Sequence, residues 1–168
     1  MDLTKLTNGD KIIGVSGVLL FIFSFFKWLG VKVSARGIDL ASASKSAWSF
    51  TLPLIAVLIG IVLVAYVASK AAGVALPSLG SVTWSQIVLG LAAVAFIFIL
   101  IKVIAGPSID TGGFSGVDKT RKIGIYLGLV ASAGMVAGAF LNAKEAGELP
   151  GSLGGSKGGT TPPPPPAA

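Results

Sequence analysis

The sequence contains no cysteine and no histidine, and only 12% of its residues are charged. Without cysteine the chain can form neither a disulfide nor a thiolate nucleophile, and without histidine it has no imidazole base. The common zinc and haem ligand sets are excluded for the same reason, so neither a metal nor a cofactor is expected. Soluble domains carry about 25% charged residues, so the scarcity of charge indicates a different class of protein.

Hydrophobic residues make up 53% of the chain and are gathered into four long runs, at residues 12–30, 50–69, 86–106 and 121–142. Each run approaches the length of about 20 residues that a helix needs to cross the bilayer core. Backbone groups in lipid must be satisfied within the segment, and the runs lack the alternation of barrel strands. We therefore expect an all-α membrane protein, a bundle of four transmembrane helices with short loops.

The chain divides into a transmembrane domain at residues 1–143 and a tail at residues 144–168. The tail is rich in Gly and Ser and ends in the proline run 162–166. This composition predicts a flexible, disordered segment, with polyproline II conformation in the proline run. A ligand for a proline-binding partner is the alternative to a plain spacer.

The first run has a second interpretation, as the apolar core of a signal peptide cleaved after Val33-Ser34-Ala35. Its length, and the lysine at position 27, favour a transmembrane helix instead.

Six residues of the fourth run share one helical face at 100° per residue: Gly124, Gly128, Ala131, Met135, Gly138 and Asn142. Glycines inside a soluble helix cost about 1 kcal/mol each, whereas in a bilayer small residues allow helices to approach closely. We expect this helix to be the central packing element of the bundle. The same face is the expected contact with another membrane protein or with a second copy of the chain.

Lysines and tryptophans mark the ends of the predicted spans. Trp28, Trp48 and Trp84 have the positions of interface anchors, and Lys27 lies where a lysine extends toward the headgroups. Lys102 lies about one turn from the end of the third run. It either extends to the headgroups in the same way or meets an internal partner or ion path.

None of the seven acidic residues lies inside a predicted span, which weakens the case for a cation-coupled carrier. Asp10 follows Thr7 by three residues, the spacing of a capping box at the start of the first helix.

Four spans place both ends of the chain on one side of the membrane. That side carries five cations, and the side of the first and third loops carries eight: Lys27, Lys32, Arg36, Lys45, Lys102, Lys119, Arg121 and Lys122. The positive-inside rule alone therefore places the loops in the cytoplasm.

Three stretches carry a resemblance to a known group: LTNGDKIIGVSGVLLFIFSFFKWLG at residues 6–30, SAWSF at 46–50, and RKIGIYLGLVASAGMVAGAFL at 121–141. Over residues 4–145 the chain resembles small four-span membrane proteins of unknown function that are common in actinobacteria. Lys27 stands where that group usually has proline. The resemblance implies a multi-pass protein of the bacterial plasma membrane with its first loop outside and its termini in the cytoplasm. It implies no catalytic residue.

The function expected from these features is that of an accessory or scaffold subunit in a membrane assembly. The alternative is a component of a channel or small-solute transporter, with Lys27 and Lys102 as pore cations. An enzyme is not expected, because no paired carboxylates or activated nucleophile share a membrane depth. The expected partners are the lipid bilayer, including anionic lipid, and other membrane proteins; the net charge of +6 flanks apolar runs and does not indicate nucleic acid.

Overall fold

In the computed structural model, which describes residues 6–35, 38–74, 82–106 and 117–148, four helices account for most of the described residues. They are α1 (Asn8–Ser24), α2 (Thr51–Ala71), α3 (Trp84–Ala105) and α4 (Ile123–Glu145). The last three are long and apolar enough to cross a membrane. Their bounds agree with the predicted runs at 50–69, 86–106 and 121–142 to within three residues, because apolar runs of this length favour helices over strands.

The helices form an antiparallel bundle in which α1 packs on α2 and α4, and α3 packs on α2 and α4. The largest fully buried aliphatic side chains come from all four helices and include Ile13, Leu63, Ile99 and Ile125. Met135 of α4 is also fully buried, and a Cβ added at Gly60 of α2 would lie 3.8 Å from its Cε. The core thus lies along the bundle axis.

The first helix ends at Ser24, six residues before the end of the predicted span at residue 30, so that part of the prediction is wrong. Phe25 is the C-cap, and the chain then turns into a strand that begins at Leu29. The backbone N–H of Trp28 donates to the Lys45 carbonyl at 2.9 Å, so sheet hydrogen bonds replace helical ones at this point. Composition alone gave no sign of the change, since the run stays apolar to Gly30.

A three-stranded antiparallel sheet covers one end of the bundle, which corrects the expectation of an all-α chain with short loops. Its strands are β1 (Leu29–Ala35), β2 (Ile38–Lys45) and β3 (Val117–Arg121), in the order β2-β1-β3. A short 3₁₀ helix, Ala47–Ser49, leads from the sheet into α2. The sheet joins the segment after α1 to the segment before α4, so the two predicted loops form one folded unit.

The end of the bundle without the sheet holds the start of α1 and the end of α4. Helix α4 continues to Glu145, past the predicted domain boundary at residue 143. The predicted flexible tail from residue 149 onward, including the proline run, lies outside the described residues.

Candidate functional site

A polar network of four side chains, Thr7, Asp10, Lys70 and Asn142, joins three helices at the end opposite the sheet; we call it the end network. The Asp10 carboxylate, in the first turn of α1, is fully buried. Its Oδ2 accepts a hydrogen bond from Lys70 Nζ of α2 at 2.6 Å, and its Oδ1 accepts one from Asn142 Nδ2 of α4 at 2.7 Å. Thr7 Oγ1 donates to Asn142 Oδ1. Each heteroatom of the Asn142 amide is therefore used.

The start of α1 aims the carboxylate into this network. Thr7 Oγ1 accepts from the Asp10 N–H at 3.1 Å, and Asp10 Oδ2 accepts from the Thr7 N–H at 3.2 Å, which confirms the predicted capping box. A capping carboxylate points back over the helix start. In an antiparallel bundle the neighbouring helices end at that level, so Lys70 and Asn142 come within reach.

Two glycines set the distance between α1 and α4 beside the network. A Cβ on Gly138 would lie 2.8 Å from the Gly9 carbonyl oxygen, and a Cβ on Gly9 would lie 2.5 Å from the Gly138 carbonyl oxygen. Because real Cβ atoms do not approach so closely, only glycine at both positions permits this crossing. Asn142 follows Gly138 by one helical turn and thereby reaches Asp10.

The Asp10 carboxylate is paired with the Lys70 ammonium at 2.6 Å, and the Lys70 side chain is 34% exposed. The network thus holds an ion pair at the end of the bundle, with its cation at the surface and its carboxylate buried.

Sequence analysis found the cap at Asp10 but not its burial. A usable signal was present: Asp10, Gly17 and Ser24 recur every seven residues, so they share one helical face, and all three are buried. These residues alternate along the helix with Ile13 and Leu20, which are fully buried, and this spacing indicates that the polar residues face the bundle interior.

The six residues predicted to share a packing face on α4 are all buried, and the chain itself covers them. Gly124 and Gly128 face the Trp28 ring, Gly138 faces Gly9, and Asn142 belongs to the end network. Ala131 and Met135 lie between these two ends and are 5% and 0% exposed. A contact with another chain through this face would require α1 to leave it.

The three tryptophans occupy different environments. Trp28 is 0% exposed and its Nε1 donates to the Phe23 carbonyl at 2.8 Å, so the ring packs inside the protein and differs from the lipid-facing anchor expected of it. Trp48 is 39% exposed beside α2, and Trp84 begins α3 at the other end, where it stacks on Tyr66. Exposed or half-buried rings at both bundle ends are typical of the two membrane interfaces.

The two lysines singled out from the sequence also differ. Lys27 is exposed in the turn between α1 and β1, where it lines a small pocket on the sheet with Lys32 and Lys122. Lys102 is only 6% exposed, in the last turn of α3, with its Nζ 4.7 Å from the centroid of the Phe50 ring. The Lys102 ammonium thus ends between α2 and α3.

Within the part of the chain that the structure describes, no group of three or more acidic side chains lies close enough to hold a metal ion. Comparison with protein-family models gives no match, and comparison with curated proteins gives none either. Functional inference therefore rests on the geometry of the chain.

Proposed function

We propose that the chain is an integral membrane protein whose four helices all cross the bilayer. The observation that carries this proposal is the surface of α1. Its buried residues include Asp10, Ser16 and Ser24, whereas beyond the exposed Asn8 and Lys11 of its first turn its exposed residues are large and apolar: Ile12, Val15, Val18, Leu19, Phe21 and Ile22. In a water-soluble bundle the polar residues would face outward.

The length of α1 is compatible with this role. Its 17 residues fall at the short end of the range for membrane-spanning helices. Phe25 and Phe26, 60% and 43% exposed, extend the apolar surface beyond the helix end. The antiparallel packing of α1 on α2 and α4 places it at the same depth as two helices that are long enough to span.

We further propose that the protein acts as an accessory or scaffold subunit of a membrane assembly. The bundle interior is filled by its own side chains, and the α4 packing face is used within the chain. A partner can therefore bind only the outer surface of the protein. The most prominent part of that surface is the sheet, a folded unit at one end of the bundle. By resemblance, the membrane is the plasma membrane of a bacterium, with the end network on the cytoplasmic side.

The accessory role is tested by purifying the tagged full chain after mild solubilisation from its native membrane. We expect a second membrane protein to co-elute at a fixed ratio through size-exclusion chromatography. Lys45→Glu, at the end of β2, is expected to weaken that association, whereas Lys144→Glu, exposed at the opposite end, is not. A chain that elutes alone from gentle detergent, with both variants indistinguishable from wild type, would contradict the proposal.

A component of a channel or transporter is the second candidate, and the buried Asp10–Lys70 pair is the observation in its favour. Ionisable groups buried among membrane helices commonly mark ion or proton pathways. Under this hypothesis, reconstituted vesicles would show ion flux above that of empty vesicles, and Asp10→Asn would abolish the excess. Flux equal to that of empty vesicles would remove this candidate.

A further inference from the structure

A small pocket opens on the sheet, between β1, β2 and the start of α4, with a volume of about 130 Å³. Of the nine described residues that line it, three are lysines, Lys27, Lys32 and Lys122, and three carry hydroxyls, Ser42, Ser44 and Thr120. The other three are Gly30, Val31 and Ala43, so none of these nine described residues is acidic. We call this the lysine pocket.

Backbone hydrogen bonds on both sides of the buried Trp28 hold two of these lysines in place. The Lys122 N–H donates to the Trp28 carbonyl at 2.8 Å, and the Lys27 carbonyl accepts from the Gly124 N–H at 3.2 Å. Lys27 and Lys122 are therefore anchored at a packed junction, although the turn and the strand end that carry them lie at the surface.

A glycine in β1 makes room for one of the lysine stems. A Cβ added at Gly30 would lie 3.0 Å from Lys122 Cε and 3.4 Å from the Ala43 carbonyl oxygen. The Lys122 stem thus lies over the sheet at Gly30, and Lys122 is one of the residues that line the pocket. Any larger residue at position 30 would displace the stem.

Lys27 and Lys122 are the cations of interest at this pocket, because Lys32 makes an interaction of its own. Among the side chains that the structure describes, neither Lys27 nor Lys122 forms an ion pair. Two lysines that line a pocket together with hydroxyl donors favour an anion with several acceptor oxygens.

We propose that the lysine pocket binds a phosphate group, with Lys27 and Lys122 as its cations and the hydroxyls of Ser44 and Thr120 as further donors. Sites for whole drug-sized ligands occupy about 300–1,000 Å³, so a pocket this small suits a single compact anionic group. A phospholipid headgroup and free phosphate share this chemistry. The exposed rings of Phe25, Phe26 and Trp48 lie at the same end of the bundle, which favours the headgroup.

The experiment uses the full chain purified in an uncharged detergent and titrated with three ligands in turn. These are phosphatidylglycerol, diacylglycerol as its phosphate-free match, and inorganic phosphate. Thermal unfolding reports stabilisation, and native mass spectrometry reports bound lipid. We expect phosphatidylglycerol to bind and to raise the melting temperature, and diacylglycerol to do neither.

Two variants test whether phosphatidylglycerol binds in the lysine pocket. Lys27→Gln/Lys122→Gln is expected to weaken phosphatidylglycerol binding by at least about tenfold, since each lysine near an anionic headgroup contributes about a factor of five. Gly30→Ala keeps every charge but displaces the Lys122 stem, so it is expected to weaken binding as well. The matched control is Lys11→Gln/Lys144→Gln, which removes two exposed lysines from the opposite end and should leave binding unchanged.

The outcomes distinguish a lipid headgroup from free phosphate and decide whether the proposal holds. If phosphatidylglycerol alone stabilises the protein, and the pocket variants lose this effect, the ligand is a lipid headgroup. If inorganic phosphate also stabilises it through the pocket, the site binds free phosphate. Equal binding by wild type and both pocket variants, or no binding of either phosphate ligand, would overturn it. The lipid assignment rests on the proposed membrane placement. Because the assay uses the isolated chain, failure to find a protein partner would not affect its result.

Discussion

The indole ring of Trp28 occupies the space that a side chain at Gly128 would need. A Cβ built on Gly128 would lie 2.6 Å from both Cζ2 and Cη2 of the ring. Trp28 is held by backbone bonds to Lys45 on one side and Lys122 on the other, so its ring cannot move without disturbing the sheet. The small residues at the start of α4 therefore accommodate the Trp28 ring, and this contact packs the sheet against the bundle.

Gly128→Ala should therefore lower the stability of the protein. Overpacking of a filled site costs about 1–3 kcal/mol, and alanine recovers at most about 1 kcal/mol of helix propensity. We expect a lower melting temperature when unfolding is followed by circular dichroism in detergent.

Gly90→Ala of α3 is the matched control, because a Cβ there meets nothing within 4 Å and should cause no loss. In a Trp28→Leu background the cost of Gly128→Ala should shrink, because the opposing ring atoms are gone. If Gly128→Ala costs the same in both backgrounds, the ring is not what it meets.

Removing the buried carboxylate of the end network should lower the stability of the protein. Asp10 accepts hydrogen bonds from Lys70 and Asn142, and hydrogen bonds to a charged group contribute about 1.5–3 kcal/mol. Asp10→Asn takes away the partner of the Lys70 ammonium and should be less stable than wild type at pH 7.

Thermal unfolding at pH 7 measures this difference. Glu145→Gln, which removes an exposed carboxylate from the same end, should unfold at the wild-type temperature. Equal melting temperatures of wild type and Asp10→Asn would mean that the Asp10 carboxylate does not stabilise the fold.

The helices could be predicted where almost every residue of a long run is apolar or small. Long apolar runs without strand-like alternation predict helices, and this pattern predicted α2, α3 and α4. The pattern did not show where α1 stops, because apolar residues continue to Gly30 and are interrupted only by Lys27. The end of α1 depends on the packing of the Trp28 ring against Gly128, and these two residues lie 100 positions apart in the sequence.

The sheet illustrates the same limit. The alternation of Val31, Lys32 and Val33 is a local strand signal that could have been recognised. Strand β3, with the sequence VDKTR, has no apolar alternation of its own and is a strand because β1 offers it an edge. For Asp10, the sequence showed the cap, but its burial depends on where α2 and α4 end.

Cysteines placed across β1 and β3 test the sheet. Val31 pairs with Lys119 in the register, and opposite residues on neighbouring strands have Cβ atoms about 4.5–5.5 Å apart. We expect Val31→Cys/Lys119→Cys to lose both free thiols on mild oxidation, as counted by maleimide mass-tagging. The native chain has no cysteine, so no other thiol contributes.

Val31→Cys/Lys144→Cys places the two thiols at opposite ends of the bundle and should keep both free. Equal oxidation of the two pairs, or none in either, would contradict the pairing of β1 with β3.

The number of spans and their orientation can be measured together with single cysteines at Lys11, Ser42 and Glu145, which are all exposed. Lys11 lies at the start of α1, Ser42 in the sheet, and Glu145 at the end of α4. If all four helices span, Lys11 and Glu145 share one side and Ser42 lies on the other. If α1 does not cross, Lys11 instead shares the side of Ser42.

We expect an impermeant maleimide to label Ser42→Cys on intact cells, and to label Lys11→Cys and Glu145→Cys only after permeabilisation. This result would place the sheet outside the cell, as the resemblance implies. The count of cations favours the opposite orientation, with the sheet inside. The reverse labelling would show that the lysines around the sheet set the orientation and would move the lysine pocket to the cytoplasmic leaflet. Labelling of Lys11→Cys together with Ser42→Cys would instead remove α1 from the set of spanning helices, because its two ends would then lie on one side.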